Sequence, residues 1–395
     1  MAHALRYFLS PAILLARPPS TRMPHHISVS PTTESRLAGV DFENLPFGRL
    51  FADHMFVVDY DGREWADARI VPYAPMPIEP SNMALHYGQA VFEGMKATKT
   101  QSGEAVLFRP EQHARRINAS ATRLAMPALP EDLFLRGLHE LIALDAGWIP
   151  PQEGSALYIR PFMFATDNSV GVRPSTTYRF IIFTCPVGPY YAKPVRLLAE
   201  TKYVRAVAGG VGEAKAAGNY AAAMLPALLA QQRGYDQVLW LDAKEFKYVQ
   251  EVGTMNIFFV IGDAVVTPAT EGAILRGITR NTLLHFLRDG GYRVETRPVS
   301  IDELVEAHRA GTLREAFGSG TAAVISHVSS ILYGDYEIDL PPVEQRTVGP
   351  WLKDQINGVR SGRLPDTRGW LHVAGSYGHA GDTPAPAVAA PAAAA

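Results

Sequence analysis

The sequence predicts an α+β protein of two domains, and three observations carry that expectation. At 395 residues the chain exceeds one ordinary core, given roughly 150 residues per domain. Strand-like runs follow one another without helices between them, most plainly over 237–267, which favours antiparallel or mixed sheets over a simple βαβ repeat. Residues 186–194 (PVGPYYAKP) hold three prolines and a glycine, the composition of a linker. The expected division is a smaller N-terminal domain over 41–185, a linker over 186–194 and a larger domain over 195–377.

The elements can be justified in chain order. Residues 1–33 carry Arg6, Arg17 and Arg22 but no acid, among Ser, Pro and Ala. That composition suits an organellar transit peptide or an unstructured leader. Pro11, Pro18 and Pro19 spoil an amphipathic helix, so residues 1–40 are expected to be a disordered leader, with Met23 an alternative start. Aromatic and β-branched residues predict strands over 105–109, 157–164, 178–185, 237–242 and 254–261. Helical periodicity predicts helices over 110–126, 131–147, 216–233, 279–290 and 300–311. Pro110 suits a first helical turn, and Gly147 and Gly311 suit C-terminal caps. From Gly378 the chain becomes a Pro/Ala tail with too few bulky groups to offset its ordering entropy, and disorder is expected there.

Composition excludes several function classes. Apolar residues make up 47% and charged residues 19%, which suits a large buried core. A net charge of -2 offers no field to hold a nucleic-acid backbone. One cysteine, Cys185, rules out an intramolecular disulfide and a cysteine-based metal cluster. The richest apolar run, 220–230, is broken by Pro226 and falls short of the ~18 residues of a membrane span. A soluble, cytoplasmic protein is expected, with an organelle as the alternative if the leader is a transit peptide.

Four short segments and one strand can carry chemistry. In 209–220 (GGVGEAKAAGNY), Lys215 stands among small residues with Glu213 as its nearby partner. A lysine short of solvent can act as an amine nucleophile toward a carbonyl; the plain alternative is a loop lysine. The spacing G-x-G-x-x-K fails as a dinucleotide fingerprint, which needs glycine where Lys215 stands. In 250–259 (QEVGTMNIFF), Glu251 precedes an apolar strand, where a carboxylate needs a cation or donor unless it lies at the surface. A protonated pyridine nitrogen is one such donor. In 276–280 (RGITR), Gly277 allows close approach, Thr279 can cap, and the free amides of the first turn suit a phosphate; a plain capped helix reads the same way. In 317–323 (FGSGTAA), a tight turn can present amides to an anion or simply join two strands. Alternation over 157–164 puts Tyr158, Arg160, Phe162 and Phe164 on one face, which suits an amphipathic pocket or a packed core arginine.

A nucleophilic lysine, a glutamate for a ring nitrogen and two anion seats are the parts that a pyridoxal phosphate enzyme needs. The segments PFGRLFADHM from Pro46, LHYGQAVFEG, LFRPEQHARRINASATRLAMP, LYIRPFMF, GGVGEAKAAGNY, EVGTMNIF, GITRNTLL and FGSGTAA closely resemble, in order, those of branched-chain amino acid aminotransferases, pyridoxal phosphate enzymes of fold type IV. The resemblance runs from Pro46 to near Trp370.

It implies a two-domain fold with pyridoxal 5'-phosphate between the domains. It also implies transfer of the amino group of leucine, isoleucine or valine to 2-oxoglutarate. Lys215 would form the Schiff base and move the proton, Glu251 would hold the ring nitrogen, and Tyr220 would meet the ring hydroxyl. Arg116 would bind the phosphate together with Gly277, Ile278, Thr279 and Thr321. Tyr87 and the turn at Thr321–Ala322 would take the α-carboxylate. Arg160 would orient Tyr87 and reach the distal carboxylate of glutamate. Phe47, Tyr158 and Thr254 would line the side-chain pocket, completed by Val170 and Val172 from a second subunit, so a homodimer is implied. Where vertebrate members carry a redox Cys-x-x-Cys after the turn, this chain has Ala323 and Ser326, so thiol regulation of that kind is not expected. Two relatives on the same scaffold, D-amino acid aminotransferase and aminodeoxychorismate lyase, fit the LYIRP and EVGTMNIF segments less well. A non-catalytic pyridoxal phosphate carrier is the alternative from another class, and the set Lys215, Glu251, Tyr220 and Arg116 argues against it.

Overall fold

The structure, a computed structural model, describes residues 26–188 and 193–377. The leader up to residue 25, the middle of the linker and the Pro/Ala tail therefore lie outside the described residues. Among the described residues the fold is α+β, built on two nine-stranded sheets.

The first sheet runs in the order Ser28–Val29, Trp65–Pro72, His54–Tyr60, Tyr178–Val187, Ala156–Ala165, Met95–Lys99, Ala105–Phe108 and Leu371–Val373, with Ala90–Phe92 also paired to Ala156–Ala165. All its pairings are antiparallel except that of Ser28–Val29. Helices Pro110–Arg123 and Glu131–Leu144 supply Ala114, Ile117, Leu138 and Leu141 to a core that also holds Phe56, Phe180 and Trp148. Each large apolar side chain taken from water is worth about 1.5–3 kcal/mol.

The second sheet runs Val249–Val252, Gln237–Leu241, Val195–Ala199, Val324–Tyr333, Leu313–Gly320, Asn256–Ile261, Ala264–Thr267 and Arg293–Thr296, with Tyr336–Asp339 on Val324–Tyr333. It is mixed: Val195–Ala199 pairs in parallel with both its neighbours. Helices Ile278–Asp289 and Val348–Arg360 pack Leu283, Leu287, Leu352 and Ile356 against Phe258 and Phe317.

Several expectations change in detail, each for a local reason. The leader does not extend to residue 40 as disorder. Ile27 is buried, Ser28–Val29 joins the sheet, and Asp53 accepts from Ser35 Oγ at 2.6 Å and Arg36 N at 3.1 Å. Pro186 and Val187 are strand residues, paired with Leu157 and Ala156. The helix expected over 216–233 is two, Ala217–Ala222 and Met224–Gln232, because Pro226 cannot donate back to Ala222. The chain also returns to the first sheet at Leu371–Val373, which no local pattern foretold.

Candidate active site

Most of the expected residues meet along the seam between the two sheets, where Lys96 reaches Ala322 and Arg116 reaches Arg276. Lys215 lies just before helix Ala217–Ala222, on a loop fastened to the first sheet by main-chain bonds. Its carbonyl accepts from Phe92 N at 3.1 Å, its own amide donates to Ser120 Oγ at 2.9 Å, and Ala216 bridges Val91. Asn219 Nδ2 donates to the carbonyls of Val211 and Ala214, closing the glycine-rich turn from within. Gly209 has φ +80°, and a Cβ at Gly212 would overlap the Ala273 carbonyl, so this path requires glycine.

The Lys215 amine does not pair with Glu213. It donates to Tyr220 Oη at 2.8 Å and lies 4.8 Å from the centre of the Phe92 ring. The Arg160 guanidinium also lies 4.8 Å from the Phe92 centroid, and it donates to Tyr158 Oη at 3.1 Å. Phe47 meets Tyr158 edge-on at 5.6 Å. An amine, a hydroxyl, an aromatic floor and an arginine thus stand together, and the Arg160 Nε is left without an acceptor among the described residues.

The anion seat has its own geometry. Helix Ile278–Asp289 begins at Gly277, whose carbonyl accepts the first helical bond, from Asn281 N at 2.9 Å. The amides ahead of it in the first turn make no internal bond, as expected at a helix start. Thr279 lies inside that turn rather than capping it, because Gly277 holds the cap position. A Cβ at Gly277 would overlap Asn256 Oδ1, whose amide group donates to Leu275 O at 2.9 Å. Arg116 reaches the same place, with Nη1 3.2 Å from Arg276 O. Its other nitrogens grip Glu93, at 2.7 Å from Nε and 2.8 Å from Nη2. Burial opposes the Glu93 charge, but Arg116 and His113 outweigh it and hold this carboxyl well below the usual range.

Glu251 sits on strand Val249–Val252, buried, and accepts from Leu275 N at 2.7 Å. Its second oxygen faces Arg205 Nε, at 3.4 Å. Burial pushes the Glu251 carboxyl up, against the pull of Arg205. The turn Thr321–Ala323 joins Leu313–Gly320 to Val324–Tyr333, and Lys96 Nζ donates to Ala322 O at 2.7 Å.

Tyr87, Thr254, Val170 and Val172 are exposed in the single chain, the two valines being those expected to complete the pocket of a second subunit. Tyr87 ends helix Met83–Tyr87 and is 38% exposed, and the hydrogen bond of Arg160 goes to Tyr158 instead. Val170 and Val172 are 79% and 90% exposed. Thr254 is exposed in the two-residue turn after Val252, where Gly253 has φ +54°, so the strand starts later, at Asn256. Sequence reasoning missed Phe92, Glu93, Asn256 and Arg205. Glu93 carried a usable signal: it is the one acid in the apolar run VFEGM, and such a carboxylate needs a cation.

The residues at this seam fit a phosphorylated pyridine aldehyde. One helix start and Arg116 suit the phosphate, Glu251 is a buried carboxylate of the kind that a ring nitrogen needs, and Lys215 offers an amine. The model of the family described as amino-transferase class IV matches residues 90–331. A probable branched-chain-amino-acid aminotransferase of Staphylococcus epidermidis is 52% identical over 335 residues, covering 84% of this chain and 93% of that protein. Branched-chain-amino-acid aminotransferase 2 of Bacillus subtilis is 46% identical over 342 residues, covering 86% and 94%. Among solved structures, the branched-chain amino acid aminotransferase of Escherichia coli matches with TM-score 0.66 at 26% identity, covering 82% of this chain and 99% of that one. A second branched-chain amino acid aminotransferase, from T.th. and bearing pyridoxamine 5'-phosphate, matches with TM-score 0.68 at 26% identity, covering 82% and 100%. A site assembled from both sheets and relatives at about half identity over most of the chain lead to one conclusion: the chain belongs to amino-transferase class IV, among its branched-chain-amino-acid aminotransferases.

Proposed function

We propose that this chain holds pyridoxal 5'-phosphate on Lys215 and moves an amino group reversibly between leucine, isoleucine or valine and 2-oxoglutarate. The observation that carries the reading is the group Lys215, Phe92, Arg160 and Tyr158, flanked by the helix start at Gly277 and the buried Glu251. When bound, the cofactor supplies a carbonyl carbon that takes up the amino group and a ring that accepts electrons from the substrate Cα.

The rest is done by the chain. Arg116 and the amides of Ile278 and Thr279 hold the phosphate, with Thr321 beside them. Glu93 keeps Arg116 charged and aimed at that seat. Glu251 hydrogen-bonds the ring nitrogen and keeps its proton there, while Tyr220 Oη steadies the ring hydroxyl. Lys215 Nζ, beside Tyr220 Oη, takes the proton from the substrate Cα and returns it. Phe47, Tyr158 and Thr254 accept the branched side chain, and the Arg160 guanidinium, held beside Tyr158 Oη, serves the distal carboxylate of glutamate. An apolar wall with one reachable guanidinium serves both substrates.

The exposed Val170 and Val172 support a homodimer in which each subunit completes the other's pocket. No helix among the described residues is long and apolar enough to cross a membrane, and we place the enzyme in the cytoplasm.

The test is an absorbance spectrum of the purified protein before and after L-leucine. A yellow band that L-leucine bleaches, and that Lys215→Ala abolishes, is the expected result. A band that ignores L-leucine would move the substrate elsewhere, and no band after adding pyridoxal phosphate would overturn the reading of Lys215.

A further inference from the structure

The loop between strands Ala156–Ala165 and Tyr178–Val187 carries Val170 and Val172, the most exposed large apolar side chains among the described residues. None of the amides of residues 169–173 donates to a main-chain carbonyl among the described residues. Neither a ladder nor burial of its valines therefore gives this loop its shape. That task falls to Asp167, whose side chain is only 11% exposed. Its carboxylate accepts from five donors: Arg173 Nη1 at 2.8 Å, Thr176 N and Oγ1 at 2.9 Å each, Thr177 N at 3.2 Å and Thr177 Oγ1 at 2.8 Å. Burial opposes the charge, but the bonds from Thr176, Arg173 and Thr177 outweigh it and hold this carboxyl well below the usual range.

These donors lie on the far limb of the loop, so one side chain ties residue 167 to residues 176 and 177 and closes the base. The near limb is fixed as well. Met83 N donates to Asp167 O at 2.9 Å, Asn82 bridges Asn168, and Ser175 N donates to Gln89 Oε1 at 3.1 Å. The loop is thus firm at its base and apolar at its tip, where the two valines stand clear of their own chain. Such a tip suits an apolar partner surface. Holding it in one shape beforehand removes much of the ordering cost of docking.

We infer that Asp167 is the positioning residue of this loop, holding Val170 and Val172 in the shape that enters the side-chain pocket of a second copy of this chain. The inference rests on the proposed function for the shared pocket and its substrates. Asp167 acts in trans: the carboxylate belongs to one subunit and its effect on affinity to the other's pocket. An amide in its place turns one of the two oxygens into a donor facing donors. Those are Arg173 Nη1 and Thr176 N on one side, or Thr177 N and Oγ1 on the other.

The test uses the full chain loaded with pyridoxal phosphate, and mixed dimers purified through two different tags. If Asp167→Asn leaves the loop in its docking shape about a tenth of the time, KM for leucine rises about 10-fold at unchanged kcat. A mixed dimer of the Asp167→Asn chain with a Lys215→Ala chain has one live site, and that site receives the intact loop. Its KM should return to the wild-type value. Placing both substitutions in one chain and pairing it with wild type gives the converse. The live lysine then meets the damaged loop, and KM should stay about 10-fold high.

A raised KM that stays with the chain carrying Asp167→Asn would assign Asp167 to its own subunit's site, through Met83 and helix Met83–Tyr87, and overturn the inference. Amide exchange reads the loop itself. The Thr176 and Thr177 amides should exchange about 10-fold faster in Asp167→Asn, and unchanged rates would also overturn it. Thr176→Val, which removes one donor from an exposed residue, should raise KM in the same direction by less. A wild-type chain that sediments as a monomer would refute the shared loop outright. Failure of the substrate reading is a separate result, since L-leucine would then leave the yellow band of wild type unchanged.

Discussion

Replacing Glu93 by Gln tests the buried pair that aims Arg116. The substitution keeps the shape of the side chain but removes the charge that faces Arg116 at 2.7 and 2.8 Å and His113 at 2.7 Å. Glu93 is fully buried and the Arg116 side chain nearly so, with 12% exposure, which leaves water little access to compensate. Breaking a buried pair by removing one partner costs about 3–5 kcal/mol.

The pH dependence has a definite sign. The folded state holds the Glu93 carboxyl below its unfolded value of about 4.3, so its contribution is complete above that pH and fades as pH falls below it. Urea unfolding of the apo protein at pH 7 should show the loss of about 3–5 kcal/mol. At pH 4 the gap between variant and wild type should narrow. The double variant Glu93→Gln/Arg116→Met should lose less than the sum of its parts, by about 1–3 kcal/mol. A Glu93→Gln protein within about 0.5 kcal/mol of wild type at pH 7 would show that the guanidinium is satisfied without Glu93, refuting the argument.

Gly277→Ala drives a methyl into Asn256 Oδ1 and should lower stability by about 1–3 kcal/mol and weaken pyridoxal phosphate binding. Adding Asn256→Ala should recover part of both in thermal melts and cofactor titration, and no recovery would place the fault elsewhere. Val172→Asp puts a charge on a side chain that is 90% exposed in one chain. It should leave folding intact but shift sedimentation toward monomer and raise the KM for leucine; an unchanged assembly with native KM would count against a shared pocket. Burial pushes the Cys185 thiol up to about 11, so a disulfide reagent at pH 8 should label it only as the protein unfolds. Rapid labelling of the folded enzyme would contradict that burial.

What the sequence disclosed was local. The helix from Pro110, the alternation that puts Tyr158 and Arg160 on one face, and the helix that 276–280 opens each rest on residues a few positions apart, and all appear in the structure. The partners of those residues were hidden because the fold, and not the chain, brings them near. Glu251 was read as needing a cation, yet nothing near it in sequence pointed to Arg205, which arrives from another segment. The pairing of Leu371–Val373 with Ala105–Phe108 is equally non-local, since a three-residue strand has too short a pattern to read. Thr254 failed for the opposite reason. Its β-branched side chain favours a strand, but the positive φ of Gly253 turns the chain there first.

The main-chain bond between Phe92 and the carbonyl of Lys215 has a practical consequence for anyone altering this enzyme's tastes. It indexes the amine to the aromatic strand through atoms that every amino acid shares. Side chains along that face can therefore be exchanged while the amine keeps its station, much as tools are changed in a fixed chuck. A library varied at Phe47, Tyr158 and Arg160 should thus report on what the pocket prefers, with little contribution from a displaced lysine. The arrangement lets one chemistry serve a drifting range of substrates.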